Sequence, residues 1–523
     1  MSFYGHSLRV LLLLLVAGVL LTRVASRTDV LFADGLRYVG QAKQLDAGSW
    51  RDGLLKAVDH PVYPLSIAGA HRAMGGGDDP VSWQGAGQAA SVLAGILLVV
   101  PLYLVAVELF GPGAAWLGVL LVYLSPQNPR VMADVLSEST FLLSWTWGVW
   151  GALRFLREGA FRWLPLVIGT AALAYLTRPE GLLLPAALVA TLLLMPLLRS
   201  TRMNWPRWWA ATGLLVIGPA LVLGPYVALE GGLGTKPAIA RLLGTAPPSP
   251  AGAVERARPL DPDETTLQIY FYAAKSAYEA VRDAVSLPLF PLALLGLAFA
   301  WPYGTRARGW LFFWITGVAA MLALIRLHAT GGYCTPRHAM LVAMPLIAAA
   351  ASAVDRIVRS VAIPGRLLGQ GATTLRPGPA LWAVLLTLYG AWSAPTLFRP
   401  LNTAYAGYRD AAAWMSDHTA PDARVLDLTG WSLYYGGRQG YTFHNLADAE
   451  RDPAITHVVV RGAHLRGPWN YCDLSRRMTA GARLVATFPE RPRPGQSRVY
   501  VFDRRPDAGP GAVARGVADA PLR

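Results

Sequence analysis

The run GQAASVLAGILLVVPLYLVAVE, residues 87–108, holds no charged side chain until its last position. At the rise of an α-helix it reaches about 33 Å, enough to cross a hydrocarbon core of about 30 Å. Comparable apolar runs recur near 8–25, 114–125, 137–155, 163–177, 180–198, 208–229, 286–302, 309–327, 338–354 and 379–397. With 87–108 they predict a mainly α membrane protein of about eleven transmembrane helices. Composition agrees. The 523 residues are 54% hydrophobic and only 15% charged, whereas a soluble chain carries about a quarter charged residues. A soluble enzyme is excluded.

The net charge of +15 does not point to nucleic acid, because no basic tract interleaved with aromatics lies in a soluble segment. Lysine occurs only at positions 43, 56, 236 and 275, so the basic residues are nearly all Arg, a bias that reads as a GC-rich bacterial gene. Two cysteines, Cys334 and Cys472, make neither a disulfide framework nor a zinc cluster. The first apolar run has a signal peptide as its alternative. Val24-Ala25-Ser26 is a poor cleavage site, and Arg23 can snorkel to the outer headgroups, so an uncleaved anchor is the reading taken.

Arginine sets the orientation. Arg154, Arg157 and Arg162 share one set of loops with Arg199, Arg202 and Arg207, with Arg306 and Arg308, and with Arg356, Arg359, Arg366 and Arg376. The alternate loops hold mainly Arg130, Arg178 and Arg337. The positive-inside rule puts the first set and the N-terminus in the cytoplasm, and eleven spans then carry residues 398–523 outside. The expected organisation is a membrane body over 1–397, with outer loops 26–86 and 230–285, an extracytoplasmic α/β domain over 398–505, and a disordered tail over 506–523. The loop 26–86 contains helix-like runs at 35–46 and 61–74. The loop 230–285 begins with a Pro-rich, mobile 244–264. It then places Leu267, Phe271, Ala274, Tyr278, Val281 and Val285 at helical spacing, as in a helix lying on the membrane. The C-terminal domain reads as a helix at 408–418 and strands at 424–428, 457–460, 484–488 and 498–502.

On this topology the unusual ionisable groups gather at the outer face, and such groups at membrane depth are costly and usually functional. Asp34 opens the first outer helix. It is either an N-cap or a base taking the proton of an attacking hydroxyl; a capping box would need Glu or Gln at the position of Arg37. Asp134 and Glu138 share a helical face at the mouth of the fourth span. The helix dipole accounts for acidic groups there, but Glu138 lies a turn deeper and could meet a metal, a sugar hydroxyl or an Arg. Two oxygen ligands do not define a metal site, so no cofactor is called for and a divalent metal stays open. In Thr177-Arg178-Pro179-Glu180-Gly181 the spacing of Thr177 and Glu180 fits a capping box, which makes Glu180 structural. Arg178 is left for a lipid phosphate. Tyr333-Cys334-Thr335-Pro336-Arg337-His338 begins another helix, where free N–H groups and Arg337 make an anion site or Arg337 merely snorkels. Two look-alikes are set aside. Gly231-Gly232-Leu233-Gly234-Thr235-Lys236 lacks the Gly-Lys-Ser/Thr order of a phosphate loop, and Asp261-Pro262-Asp263 is turn chemistry in an outer loop.

An Asp at a helix start in the first outer loop, then His60-Pro61-Val62-Tyr63-Pro64, then an acidic residue opening the fourth span, then Arg178-Pro179-Glu180-Gly181: this order resembles the bacterial polytopic glycosyltransferases of family 39. These are the protein-mannosyltransferase and aminoarabinose-transferase relatives with the membrane-embedded C-type fold. The resemblance covers roughly residues 8–400. Tyr408-Arg409-Asp410-Ala411-Ala412-Ala413-Trp414 and Tyr434-Tyr435-Gly436-Gly437-Arg438 also look like the outer domains of such enzymes. The resemblance implies transfer of a sugar from a polyprenyl-phosphate donor in the membrane to a lipid, glycan or protein hydroxyl, at the outer face of the bacterial cytoplasmic membrane. Asp34 matches the family's catalytic Asp and Glu138 its second acidic position. The family often has Asp-Glu where this chain has Asp34-Gly35, which puts any role of that Glu, including metal binding, in doubt. Arg178 and Arg337 are phosphate candidates by position, and His60, Tyr63, Asp134, Tyr333 and His338 complete the expected substrate-binding set. The competing readings are a transporter or flippase of lipid-linked sugars, which calls for inverted repeats and a two-sided ionisable pathway, and a sensor, which leaves Asp34 and Glu138 unexplained.

Overall fold

The computed structural model describes residues 3–198, 205–232, 239–240, 264–299, 306–361, 363–364, 374–375, 378–467, 470–493 and 495–505. The Pro-rich stretch with Asp261-Pro262-Asp263, Lys236 of the phosphate-loop look-alike, Arg199, Arg202, Arg366, Arg376 and the tail 506–523 lie outside the described residues.

Each predicted span coincides with a helix, but the helices are not equal. Among the described residues six are long and apolar enough to cross a membrane: Gly5–Ala25, Pro80–Phe110, Trp205–Glu230, Ala307–Gly331, Met340–Ser360 and Gly378–Leu397. The helices Thr266–Val285 and Phe290–Phe299, bent by 91° at their break, make a seventh if the pair is one span. Pro112–Leu124, Phe161–Tyr175 and Pro179–Leu194 are apolar but shorter. Of the eleven spans expected, six or seven are therefore long and apolar enough by themselves among the described residues. Hydropathy marks burial, and burial in protein looks the same as burial in lipid. Pro112–Leu124 measures about 20 Å and is walled in by neighbouring helices, with Leu117, Val119, Leu121 and Val122 all buried. Helix Glu138–Glu158 has the length but dilutes its apolar content with Trp145, Trp147, Trp150, Arg154 and Arg157.

Met340–Ser360 is the hub of the body. Its Ala348–Ala353 stretch lets two neighbours approach at backbone distance, the small-residue packing that membrane helices rely on. A Cβ added at Gly296 would stand 1.9 Å from the Ala349 carbonyl oxygen, and one at Gly118 would stand 2.8 Å from Ala348 Cα. Of the predicted span 286–302 the described residues hold the helix Phe290–Phe299, seated on this face. The preceding helix, Thr266–Val285, starts with a capping box between Thr265 and Gln268. Its alanines Ala273, Ala277, Ala280 and Ala284 are buried, whereas Leu267 and Phe271 of the expected apolar stripe are exposed.

The loop between the first two long helices folds into Ala33–Asp46 and Val62–Ala73, as predicted within two residues. The C-terminal region is a five-stranded mixed sheet in the order Gly440–Tyr441, Arg424–Asp427, Ile455–Arg461, Val499–Asp503, Arg483–Phe488. The first three strands run parallel and the last two antiparallel to their neighbours. Side-chain alternation splits its apolar residues into two clusters. Val425, Val459, Val499 and Val501 pack with Trp431 and Tyr408 toward the loop helices. Leu426, Val458, Val460 and Phe502 pack under Leu474 and Met478 on the other face. Hydrogen bonds dock the sheet region on the loop: Trp431 Nε1 donates to Leu31 O (2.9 Å), Tyr435 Oη accepts from Leu31 N–H (3.0 Å), and Tyr434 Oη donates to Pro80 O (2.7 Å).

Candidate active site

Four segments bring charge to one place: the first turn of Ala33–Asp46, the start of Glu138–Glu158, the turn at Arg178–Glu180, and the turn 335–338 ahead of Met340–Ser360. Local sequence explains their geometry. Pro179 opens a short 3₁₀ helix and disfavours the helical region for its predecessor, so Arg178 is extended (φ −152°, ψ 143°) at the end of the preceding helix. The first outer helix begins at Ala33, with Phe32 as N-cap and no side-chain cap. Asp34 is thus not the cap that one reading expected; its carboxylate is free to look outward from the first turn.

The charged groups form a chain. Asp34 Oδ2 accepts from Arg337 Nη2 at 2.6 Å and Oδ1 from Arg37 Nη1 at 3.0 Å. Arg37 continues to Asp59 through Nε (2.9 Å) and Nη2 (3.2 Å). Arg178 donates to Glu138 Oε1 and to Glu180 Oε1, both at 2.9 Å. Arg337 Nε lies 3.9 Å from Glu138 Oε1 and joins the two halves. The Arg337 guanidinium also stacks 4.7 Å over the Phe32 ring. Glu180, read from its spacing as a capping-box residue, belongs to this chain, and Thr177 Oγ1 instead donates to Leu173 O at 2.8 Å. The chain is incomplete: Glu138 Oε2, Glu180 Oε2 and Arg337 Nε are buried without a hydrogen-bond partner. Leaving such groups unmade is expensive, so the arrangement suits a ligand that brings both donors and acceptors.

The electrostatics follow from this packing. Burial works to raise the Asp34 pKa, but Arg337 and then Arg37 outweigh it and hold the carboxyl at about 2. His338 is pushed down to about 3 by burial and by the charges of Arg337 and Arg178. It is neutral at pH 7, with Nδ1 facing the Thr335 hydroxyl at 2.9 Å and accepting its N–H at 3.3 Å. Asp134 is raised to about 6, mainly by burial, against hydrogen bonds from Asn402, Val135 and Phe32.

The other expected residues divide. Tyr333 packs against His338 at 5.6 Å between ring centroids, at the edge of the cluster. His60 is buried edge-on against Tyr175 at 4.9 Å. Tyr63 is fully buried, its hydroxyl shared with Ser91 Oγ at 2.7 Å and Gly87 O at 3.2 Å. Asp134 lies behind the Ala33–Asp46 helix rather than in the cluster. Its Oδ1 accepts from Phe32 N–H (3.2 Å) and Val135 N–H (2.8 Å), and its Oδ2 from Asn402 Nδ2 (2.7 Å). It pins the entry to the Asp34 helix and the start of the C-terminal region together. Arg37, Asp59 and Asn402 were missed. Arg37 stands three residues from Asp34, a spacing that faces them together; Asp59 and Asn402 had no local signal. Gly35, where the family often has Glu, leaves little room for a side chain: a Cβ there would come 3.0 Å from Val135 O. Among the described residues no group of three or more His, Cys, Asp or Glu is arranged to hold a metal ion; the carboxylates here are partnered by arginines.

No curated protein matches the chain. Its fold is similar to ArnT from Cupriavidus metallidurans bound to undecaprenyl phosphate, at 15% identity and a TM-score of 0.58 over 97% of this chain and 99% of that one. It is also similar to the oligosaccharyltransferase AglB from Archaeoglobus fulgidus, in complex with an inhibitory peptide and a dolichol-phosphate, at 12% identity and a TM-score of 0.57 over 100% of this chain and 76% of that one. Residues 78–223 match the family of dolichyl-phosphate-mannose-protein mannosyltransferases, and they include Glu138, Arg178 and Glu180. The chain is thus a multi-pass membrane protein with the fold of these two solved structures, and its segment 78–223 is similar to the dolichyl-phosphate-mannose-protein mannosyltransferase family.

Proposed function

We propose that the protein transfers a sugar from a polyprenyl-phosphate donor to a hydroxyl acceptor at the outer face of the bacterial cytoplasmic membrane, with its N-terminus inside and residues 398–505 outside. One observation carries the reading. The Asp34–Arg337–Glu138–Arg178 cluster sits at helix ends whose following turns line an apolar cavity of about 420 Å³ that runs on along the helices to Leu109 and Leu153. Leu142, one turn past Glu138, and Met340, three residues past Arg337, line that cavity together with Trp145 and Val281. A lipid phosphate needs this pairing: cations at headgroup level for the phosphate, and an apolar recess below for the first isoprene units. The solved relatives' undecaprenyl phosphate and dolichol-phosphate are ligands of that chemistry.

Arg337 and Arg178 hold the phosphate through their planar donors. Asp34 takes the proton from the acceptor hydroxyl. That oxygen forms a bond to the anomeric carbon while the bond from the anomeric carbon to the phosphate oxygen breaks. Polyprenyl phosphate leaves with the electron pair, its gained charge stabilised by the two guanidiniums, and the anomeric configuration inverts. At rest Arg337 keeps the Asp34 carboxyl too acidic to be a good base. Donor phosphate competes for Arg337, which returns Asp34 toward an ordinary carboxylate pKa when the donor is in place. His338 stays neutral beside the phosphate and adds no charge there. The test is transfer in vitro with a panel of polyprenyl-phosphate sugars; absence of transfer from every donor, with the protein folded in membranes, overturns the reading.

A further inference from the structure

A second cavity, of about 360 Å³, is walled in part by Arg37, whose Nη1 reaches Asp34. Its walls are Arg37, Gly40, Gln41 and Gln44 of the first outer helix and Asp52 and Asp59 of the segment that follows. Positions 37, 40, 41 and 44 share one helical face, so this face is presented to the cavity as a unit. Arg37 is the wall common to cavity and cluster, with Nη1 on Asp34 and Nε on Asp59.

Gly40 and Gln41 shape this recess. Gly40 is exposed in mid-helix, where glycine is less stable than alanine by roughly 0.5–1 kcal/mol, and a Cβ added there meets nothing within 4 Å. Gln41 is 4% exposed; its Nε2 donates to Gly53 O at 2.7 Å and to Asp59 O at 3.3 Å, yet its carbonyl oxygen has no partner. A buried acceptor without a donor is costly, and a turn of the Gln41 side chain toward the cavity would let a ligand hydroxyl meet it.

We propose that this cavity anchors the acceptor, and that the acceptor is a neutral glycan whose non-reacting ring lies here while its reacting hydroxyl reaches past Arg37 to Asp34. The proposal rests on the transferase reading and adds the acceptor's chemistry to it. Two amides, two carboxylates and one guanidinium offer the mixed donors and acceptors that ring hydroxyls need, and their net negative charge disfavours an anionic sugar. Binding energy from the non-reacting ring serves orientation of the reacting one.

The experiment uses the full-length protein in membranes with neutral octyl disaccharides (mannobioside, lactoside, cellobioside), octyl glucuronide and a Ser/Thr peptide as acceptors. At least one neutral disaccharide should be used in preference to the glucuronide and the peptide. Gly40→Leu, which fills the cavity, and Gln44→Leu should each raise its KM about tenfold, the scale of one lost polar contact, while donor KM stays put. Gly69→Leu, at an exposed helix position where an added Cβ also meets nothing within 4 Å, is the control and should change neither. A preference for the peptide or glucuronide, or an unchanged acceptor KM in Gly40→Leu, overturns the proposal. A donor-independent arm separates it from the transferase reading. Maleimide labelling of Gly40→Cys should be slowed by the preferred disaccharide, and labelling of Gly69→Cys should not. Protection without transfer from any donor keeps the cavity and sinks the transferase; transfer without protection does the reverse.

Discussion

Helix Glu138–Glu158 carries an arginine–carboxylate cluster at each end, and the two are built differently. At the Glu158 end, Arg154 and Arg157 donate to Glu108 at 3.1 and 2.8 Å, Arg162 to Glu158 at 2.9 Å, and Trp163 Nε1 to Glu158 at 2.7 Å. Arg157 and Arg162 are 60% and 70% exposed. Both oxygens of Glu108 and of Glu158 are engaged. At the Glu138 end, Arg178 and Arg337 are 17% and 15% exposed and Glu138 only 4%, with one of its oxygens unpaired. The same residue types therefore do different jobs. The exposed cluster ties a helix end to its neighbours in high dielectric, where each pair is worth little. The buried one is held by the surrounding fold with carboxylate oxygens of Glu138 and Glu180 left over, whereas at the other end the leftover atom is Arg154 Nε.

The sharpest way to break this contrast is Asp34→Asn. Loss of a positioned base should lower transfer ~10²–10⁴-fold, whereas Glu158→Gln at the other end should leave transfer unchanged; initial rates at matched membrane levels decide it. Arg178→Ala comes next. It strands the buried Glu138, and removing one partner of a buried pair costs on the order of 3–5 kcal/mol, read as a lower thermal midpoint in detergent together with a raised donor KM. Arg178→Lys should recover only part, since an ammonium keeps the charge and loses the two-point contact. A variant that tolerates Lys fully would return Arg178 to the snorkelling class. Asp134→Asn is smaller, about 1–3 kcal/mol for a mispaired buried group: its new N–H₂ would face donors at Phe32, Val135 or Asn402.

Acid should act on the buried end too. His338 has a folded pKa of about 3 against an ordinary 6.5, so between those values the unfolded chain binds the extra proton and stability falls as pH is lowered. The thermal midpoint should drop from pH 7 to pH 4, and His338→Gln should flatten that drop. Asp34 does not contribute until lower pH: its stabilisation is whole above about 4 and is lost toward its folded value of about 2. Smallest of all, Arg157→Ala should cost about 0–1 kcal/mol and leave transfer intact; a larger effect would mean the exposed cluster is more than a surface tie.

The location of the candidate site was readable because its anchors are local signals. Asp34 ahead of an amphipathic run, Arg178 before Pro179, and Arg337 opening a helix each announce a helix end. What could not be read is who pairs with whom. Thr177 and Glu180 have capping-box spacing, yet Glu180 turns to Arg178 because a buried guanidinium outcompetes a backbone N–H for a carboxylate. Asp134 and Glu138 are alike in sequence, four apart, and the fold sends one behind the helix and the other into the cluster. Gln41 and Gly40 looked like ordinary helix residues until the segment carrying Asp52 and Asp59 was folded against them.

By itself the sequence determined that this is a helical membrane protein, roughly where most of its membrane helices and four of the five C-terminal strands lie, and at which helix ends the ionisable groups gather. These follow from short-range physics: hydropathy, period and the conformational limits of Pro and Gly act within a few residues of one another. Only the tertiary structure decided that the helix Phe290–Phe299 is seated on Ala349, that Asp34 is held acidic by Arg337 some three hundred positions away, and that Asn402 and Trp431 lock the C-terminal sheet to the start of the Asp34 helix. Burial, pairing and charge balance are properties of neighbours in space, and a chain does not list its spatial neighbours.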